Sequence, residues 1–570
     1  MAEEVWMLQT KKADFKQIGA RFRIDPVTAR IIRNRGIEGE AAIDRYLNGT
    51  LDDLYDPMLL KDMERAVSIL CEAVDTGKKI RIVGDYDIDG VCSTYILLQA
   101  FERLGSDVDF EIPDRIKDGY GINESIIEQA HADGVEVILT CDNGISAFHQ
   151  VELAKKYGMT VVITDHHEVP LDGEKEKIPP ADAVIDPKQA DCPYPFPEIC
   201  GAVVAYKLVQ VLYARRGVPQ MEWLDLLEFA AIATVGDVMK LQDENRILVK
   251  YGLKKMAQTK NIGLRRLAEK NNLDLGAITA YHIGFVIGPC LNAGGRLKTA
   301  KEALALLRAQ SEEEAERLAE ELKELNDTRK DMTEQGTEAA KLQVESWYQK
   351  DKVLVVFLPE CHESLAGIIA GRLREYYQKP AIVLTRGEEA VKGSGRSIDE
   401  YHMFKKLTEV SDLLLKFGGH PLAAGLSLEE KNIDEFRRRL NENAGLTEED
   451  FKAKVWIDVP MPVGYVTERL VRELSCLEPF GQGNEKPLFA EKSLRIRASR
   501  VLGRNRNVVK MTLEETDGHA IEALYFGDGT AFEEERAGRR EIDVVYYPDI
   551  NEYNGRKTLQ AVIRRYKFRG

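Results

Sequence analysis

Five short apolar runs punctuate the stretch from residue 61 to residue 240, and their spacing limits the possible folds more than any other feature of this chain. They read Ile80-Arg-Ile-Val-Gly84, Val108-Asp-Phe-Glu-Ile112, Val135-Glu-Val-Ile-Leu-Thr140, Thr160-Val-Val-Ile-Thr164 and Ala183-Val-Ile-Asp186. Each suits one strand, and the segments between them are long enough for a helix. A parallel strand pair needs a crossover of a dozen or more residues, and strands covered on both faces read as near-continuous apolar runs. The expected class is therefore α/β, on a largely parallel sheet. Polar residues follow at the C-terminal ends of four of these runs, where open α/β sheets hold their ligands.

The rest of the 570 residues calls for more than one hydrophobic core. Residues 1–60 read as an N-terminal helical extension ending at Leu54-Tyr-Asp-Pro-Met58, and 61–270 as the α/β domain. Residues 271–350 form a connector. Within it, 311–348 contain no proline and one glycine, Gly336, and Ser311 followed by Glu314 fits a capping box. One helix there would be about 55 Å long, enough to join two lobes; two shorter helices broken near Gly336 are the other reading. Residues 351–450 form a second α/β unit, with strands at Val353-Leu-Val-Val-Phe-Leu358 and Ala381-Ile-Val-Leu-Thr385 around a helix from Leu365 to Tyr377. Residues 451–570 turn all-β. Alternation runs from Leu494 to Val501 and from Val508 to Leu513, and Tyr553-Asn-Gly-Arg556 supplies a hairpin turn. About five short strands suit a small barrel, an oligonucleotide-binding (OB) fold among the candidates.

No apolar run approaches the ~20 residues of a membrane span, and the acidic N-terminus lacks a signal-peptide pattern, so a cytoplasmic location is expected. The eight cysteines include no pair at two-residue spacing, which argues against a zinc ribbon or a thioredoxin-like motif. The net charge of −16 is unevenly spread, because the last 80 residues carry +3 and the first 490 carry −19. An acidic chain can still bind nucleic acid where bound cations and a local basic groove set the field.

Four segments carry metal-type ligands: Gly84-Asp85-Tyr-Asp87-Ile-Asp89-Gly90, Thr140-Cys-Asp142-Asn-Gly144, Thr164-Asp165-His166-His167 and Ala233-Thr-Val-Gly-Asp237. All four are read as strand ends. A lone aspartate in such a place is usually a helix cap. Four converging sets would repel one another and raise their pKa values unless cations neutralise them. Oxygen-rich sets with one or two imidazoles suit Mg²⁺ or Mn²⁺, and two such ions about 3.5–4 Å apart can promote a phosphoryl displacement.

These four motifs resemble the signatures of the DHH phosphoesterase superfamily, and within it the chain is similar to the RecJ family of single-strand-specific 5′→3′ exonucleases. Further matches are residues 112–121, Gly288-Pro-Cys-Leu-Asn-Ala-Gly-Gly-Arg296, Gly393-Ser-Gly-Arg-Ser397, Phe417-Gly-Gly-His-Pro421 and Glu478-Pro-Phe-Gly-Gln-Gly-Asn-Glu485. The resemblance implies two α/β lobes, DHH and DHHA1, joined by a long helix around a central cleft, with a C-terminal OB-like barrel. It implies two divalent metal ions, Mn²⁺ or Mg²⁺. Asp87 and Asp142 would hold one, helped by Asp85; Asp89, Asp142, His166 and Asp237 would hold the other, with Asp142 bridging. His167 would touch the scissile phosphate, and Asp165 would support the histidines. Some relatives carry a further histidine where this chain has Val83, which leaves the first ion the more weakly held. Ser364 replaces a glycine usual beside His362.

On the substrate side the resemblance points to Arg115, Arg296, Ser394, Arg396 and His420 as contacts to the DNA backbone, with Arg115, Ser394 and Arg396 near a 5′-phosphate. The barrel's Tyr525, Phe526, Tyr546, Tyr547 and Tyr553, interleaved with Arg504, Arg506, Arg556 and Lys557, offer stacking and phosphate contacts, although at least half of those aromatics are expected in the barrel core. The implied partners are single-stranded DNA, a single-strand-binding protein and a RecQ-type helicase, with no membrane and a monomeric chain. Two other readings stand beside this one. One is a DHH phosphodiesterase of short oligonucleotides or cyclic dinucleotides, and the other is a non-catalytic DNA-binding scaffold.

Overall fold

The computed structural model describes residues 4–115, 119, 121–553 and 555–569. Two compact units emerge, one from residues 1–5, 55–239 and 251–453 and one from residues 6–54, 240–250 and 454–570. No helix among the described residues is long and apolar enough to cross a membrane.

The chain begins with strand β1 (Glu4–Leu8) and helices α1 (Phe15–Phe22), α2 (Pro26–Asn34) and α3 (Glu40–Asn48). The α/β region follows as α4 (Met63–Asp75), β2 (Ile80–Val83), α5 (Ile88–Arg103), β3 (Val108–Glu111), α6 (Glu124–Ala132), β4 (Val137–Cys141), α7 (Phe148–Lys156), β5 (Thr160–Thr164), a β6–β7 hairpin (Leu171–Asp172 and Lys175–Glu176) and β8 (Ala183–Ile185). All five apolar runs are strands. They form one sheet in the order β3-β2-β4-β5-β8, parallel throughout. Val83, Ile138, Val161, Ile163 and Val184 pack one face against α6 and α7. The order reverses between β2 and β4, and the C-terminal ends at such a switch point leave a crevice for a ligand.

Helices α8 (Gly201–Arg216), α9 (Gln220–Leu224), α10 (Leu227–Gly236), α11 (Asp243–Met256), α12 (Ile262–Lys270), α13 (Ala280–His282), α14 (Gly288–Leu297) and α15 (Lys301–Arg308) lead to α16 (Glu312–Gln343). α16 is one continuous helix of 32 residues, about 48 Å at ~1.5 Å per residue, and Ser311 caps it by accepting from the Glu314 amide at 3.2 Å. Gly336 does not break it. A Cβ there would lie 2.6 Å from Ile369 Cδ1, so this glycine lets the next helix approach closely.

The second lobe comprises β9 (Leu354–Phe357), α17 (Glu363–Tyr377), β10 (Ala381–Arg386), β11 (Val391–Arg396), α18 (Met403–Thr408), β12 (Leu414–Gly419), β13 (Ala423–Leu428) and α19 (Ile433–Glu442). Its mixed sheet runs β12-β13-β11-β10-β9. Side chains alternate between faces. Val353, Val355, Ile382 and Leu384 meet Phe436 and Leu440 of α19, while Leu354, Val356 and Val383 meet Leu365, Ile369 and Leu373 of α17.

The smaller unit holds β14 (Ala453–Ile457), β15 (Val459–Pro460), α20 (Glu468–Leu474), β16 (Phe489–Leu502), β17 (Val508–Glu514), β18 (Ala520–Phe526), α21 (Gly529–Arg536), β19 (Glu541–Tyr553) and β20 (Arg556–Phe568). Strands β16-β17-β18-β20-β19 form a ring that closes through β16 and β19. Three of the five are 13 or 14 residues long rather than short, because bulges at Ile496/Ala498 and Glu491/Leu494 let single strands bend around the barrel. Tyr553 pairs with Arg556 across the two-residue connection; Asn554 lies outside the described residues.

The N-terminal segment is not wholly helical, since β1 pairs with β14 and Trp6 packs near Val455, Ile457 and Val545. Helices α2 and α3 contribute Ile31, Ile32, Ile43 and Tyr46 to the barrel's own core. Arg246 locks this assembly: fully buried, it donates to the carbonyls of Tyr46 (3.1 Å), Leu477 (2.9 Å) and Cys476 (2.7 Å). Arg246→Met removes three hydrogen bonds and takes this donor from the Tyr46 and Cys476 carbonyls, while Leu477 O keeps Asn484 Nδ2 at 2.8 Å; it should destabilise this unit by about 2–4 kcal/mol. Calorimetric unfolding should show its transition several degrees lower, and an unmoved transition would refute the role.

Candidate metal centre

The motifs converge at the switch point. Asp85 and Asp87 follow β2, and Asp89 lies in the first turn of α5. The Asp87 side chain caps that helix, accepting from the Asp89 (2.9 Å) and Gly90 (3.2 Å) amides. Asp142 follows β4 with φ +60°, a left-handed conformation that aspartate tolerates better than most residues. Gly201, at the start of α8, abuts it so closely that a Cβ would stand 2.8 Å from Asp142 Cβ. Asp165, His166 and His167 follow β5. Asp237 departs from expectation, because it caps the C-terminus of helix α10 rather than ending a strand. α10 is buried almost all round, so its apolar run carries no helical stripe.

Three sets of ligand atoms lie within 4.8 Å of one another: Asp85, Asp87 and Asp142; Asp89, His166 and Asp237; and Asp142, His166 and His167. Asp142 belongs to two of them. His166 Nε2 stands 3.1 Å from Asp142 Oδ1, 3.4 Å from Asp89 Oδ2 and 3.8 Å from Asp237 Oδ2. Burial, followed by mutual repulsion, raises these carboxyl groups. Asp142 goes well above the usual range, Asp87 rises, and Asp85 and Asp237 are pushed up to about 8. Burial also lowers His166, which favours the neutral imidazole whose ring nitrogen can donate a lone pair to a metal ion. Buried carboxylates with a neutral imidazole are the donor set that hard divalent cations take. The residues present fit such ions.

The surrounding contacts hold the ligands in place. Asp89 accepts from the amides of Gly201 (2.7 Å) and Ala202 (2.8 Å) at the start of α8, where the helix dipole favours negative charge. Asp165 accepts from the amides of Ile145, His166 and His167 and from His167 Nδ1 at 2.7 Å. Burial opposes ionisation of Asp165, but the His167 contact and the amides hold its carboxyl below the usual range. In return, although burial pulls His167 down, Asp165 and the nearby carboxylates lift it to about 9. Asn143, fully buried, donates to Val83 O (3.0 Å) and Cys141 O (2.9 Å) and accepts from Ile122 N (3.2 Å). It ties β2, β4 and the 121–122 loop together. Neither its role nor that of the Gly201 and Ala202 amides was read from sequence, although Asn143 lies within a quoted motif. Val83 is a fully buried β2 core residue. Asp186, at the end of β8, is also buried and pushed up to about 7 by burial and by Asp165.

Beside the carboxylates lies an arginine cluster. Arg115 Cζ stands 4.8 Å from the centroid of Tyr86, the residue between Asp85 and Asp87. Arg296 donates to Ser364 O at 3.0 Å. Ser394 and Arg396, on β11, face Gly367 of α17, where a Cβ would lie 2.9 Å from both Ser394 Oγ and Arg396 Nη2. Burial and then Arg115 lower both Arg296, to about 10, and Arg396. His420 is exposed at the β12–β13 turn, and its amide donates to Ala423 O at 2.7 Å. His362 pairs with Ser364 through Nδ1 and Oγ at 2.8 Å. Residues 116–118 and 120 of the 112–121 motif lie outside the described residues. In the barrel, Tyr546 and Tyr547 are buried in the core, Tyr525 is half-buried against Phe532 and Tyr566, and Phe526 is 59% exposed.

Comparison with known proteins agrees with this arrangement. Residues 79–234 match the DHH family N-terminal domain, residues 350–445 the DHHA1 domain and residues 457–565 the RecJ OB domain. The chain is 36% identical over 564 residues to the single-stranded-DNA-specific exonuclease RecJ of Bacillus subtilis, covering 98% of this chain and 70% of that protein. It is 34% identical to that of Escherichia coli, covering 95% of each. The crystal structure of Thermus thermophilus RecJ in complex with Mn²⁺ superposes with a TM-score of 0.84 at 28% identity, over 99% of this chain and 80% of that one. With its α/β lobes, its barrel and its carboxylate cluster, the chain belongs to the RecJ family of single-stranded-DNA-specific exonucleases.

Proposed function

We propose that the chain hydrolyses single-stranded DNA from the 5′ end to mononucleotides, using two divalent metal ions, Mn²⁺ or Mg²⁺. The observation that carries this reading is the convergence of Asp85, Asp87, Asp89, Asp142, His166 and Asp237 at one switch point, with half-buried arginines beside them. Asp87 and Asp142, assisted by Asp85, would hold one ion, and Asp89, Asp142, His166 and Asp237 the other, with Asp142 common to both sets. Such a pair would supply a water of lowered proton affinity and a positive field for the charge on a leaving oxygen.

The chain's own groups do the rest. Asp165 holds His167 protonated, with Nδ1 engaged, so that Nε2 can donate to a phosphate oxygen as negative charge develops. Arg115, Arg296, Ser394 and Arg396 grasp phosphates of the strand, Arg with a bidentate fork. His420, on the second lobe, adds a further backbone contact. Breaking the P–O3′ bond of the first linkage releases a 5′-mononucleotide and leaves a new 5′-phosphate on the next residue. The site thus regenerates the end that Arg115, Ser394 and Arg396 grip. Acting as a monomer in the cytoplasm, the enzyme works on tails exposed by a RecQ-type helicase and coated by a single-strand-binding protein, in recombination and repair.

End-labelled single-stranded DNA tests this. With Mn²⁺ or Mg²⁺, the 5′ label should leave at once as mononucleotide while 3′-labelled strands shorten as a ladder. EDTA or Asp142→Ala should lower the rate at least about a thousandfold, the scale of losing the groups that stabilise the transition state. Long DNA left intact while dinucleotides are cut would overturn the reading. Arg396→Ala should erase most of the preference for a 5′-phosphate over a 5′-hydroxyl in kcat/KM, about 1.5–3 kcal/mol for a charged contact. An unchanged preference removes Arg396 from that role.

A further inference from the structure

Helix α14, which carries Arg296 in its last turn, is preceded without a break by a π-helical turn (Ile283–Ile287) and by α13. On the outer side of this rod, Tyr281 is 63% and Phe285 67% exposed. They lie one turn apart with stacked rings, centroids 4.7 Å apart and planes at 26°. The inner side is fully buried at Ile283 and Ile287. A Cβ on Gly284 would meet Val235 Cγ1 at 3.6 Å, and one on Gly288 would meet Ile88 Cδ1 at 3.2 Å. Ile88 lies between Asp87 and Asp89, and Val235 lies two residues before Asp237. The rod is therefore braced on the elements that carry the carboxylates, while its outer face presents two large aromatic rings to water.

Exposed apolar surface of this kind marks an interaction site, and π-turns persist mostly where function requires them. We propose that Tyr281 and Phe285 form a stacking platform for an unpaired nucleobase of the substrate strand, a few nucleotides from the scissile phosphate. This rests on the single-stranded-DNA reading above. Phe285 is eleven residues from Arg296, about 16 Å along the axis at ~1.5 Å per residue. The platform and Arg296 thus lie on one unbroken helical rod, about three turns apart. A flat aromatic face accepts any base, because every base offers a π-face. Bases inside a duplex are already stacked and paired, so the platform favours single strands.

The test uses 5′-phosphorylated single strands with 2-aminopurine placed at successive positions, bound in EDTA so that no hydrolysis occurs. Wild-type protein should quench one or two neighbouring positions, and abasic residues there should weaken binding about tenfold, the scale of one base–aromatic stack. The double variant Tyr281→Ala/Phe285→Ala should lose the quenching, bind normal DNA about tenfold more weakly and ignore abasic substitution. Tyr281→Phe/Phe285→Tyr should restore both signals. With metal, the alanine variant should show a KM raised about tenfold and an unchanged kcat. Quenching that survives in the alanine variant overturns the platform, as does an affinity loss that is equal on normal and abasic DNA, which would mark a structural or protein-docking surface. Failure of the nuclease reading would show separately, as wild-type protein that binds DNA in EDTA and cleaves none with metal.

Discussion

Mutual repulsion among buried carboxylates is the constraint around which this chain is arranged. Two like charges 4 Å apart cost about 4 kcal/mol even at an effective dielectric of 20, and Asp85, Asp87, Asp89, Asp142 and Asp237 crowd one pocket. Such a cluster persists only where surrounding structure imposes it. Here the parallel sheet brings the ends of β2 and β4 side by side. The left-handed Asp142 turns its side chain inward against Gly201, and Asn143 stitches the strand ends together. The amides at the start of α8 stabilise Asp89 without neutralising the others. Divalent cations remove the rest of the repulsion, so the strain in the protein becomes affinity for metal.

The arginine cluster poses the opposite problem beside it. Arg296 and Arg396 lie partly desolvated beside Arg115, and an anion would relieve them as cations would relieve the carboxylates. A phosphodiester strand laid between the two, as proposed for the 5′ end, would meet both demands. Arg296 ties its helix to α17 through Ser364 O.

Much of this was legible in the sequence because parallel strands and short acidic motifs leave local signatures. The five apolar runs became five strands, and every aspartate and histidine singled out in the four motifs lies at the carboxylate pocket or supports it. Other features carry no such signature. Helix α10 is apolar on every side, so its end at Asp237 reads like the end of a strand. Strand β16 bends at bulges, one of them between Glu491 and Leu494, so alternation shows only from Leu494 and the strand reads as shorter than it is. Strand β1 is only five residues long, and its partner lies more than four hundred residues away, a separation that leaves no local pattern. The Gly201 and Ala202 amides act through backbone alone. Arg246 looks like any surface arginine until tertiary packing buries it against three carbonyls.

If the crowded carboxylates are a binuclear cation site that shares Asp142, the Mn²⁺ ions bound by the metal-stripped protein can be counted by electron paramagnetic resonance with calorimetry. Two ions per chain with spin–spin coupling are expected, one held more weakly than the other, with loss of the coupled pair in Asp142→Ala while the fold is retained. A single uncoupled ion, or a coupled pair that survives Asp142→Ala, would contradict it.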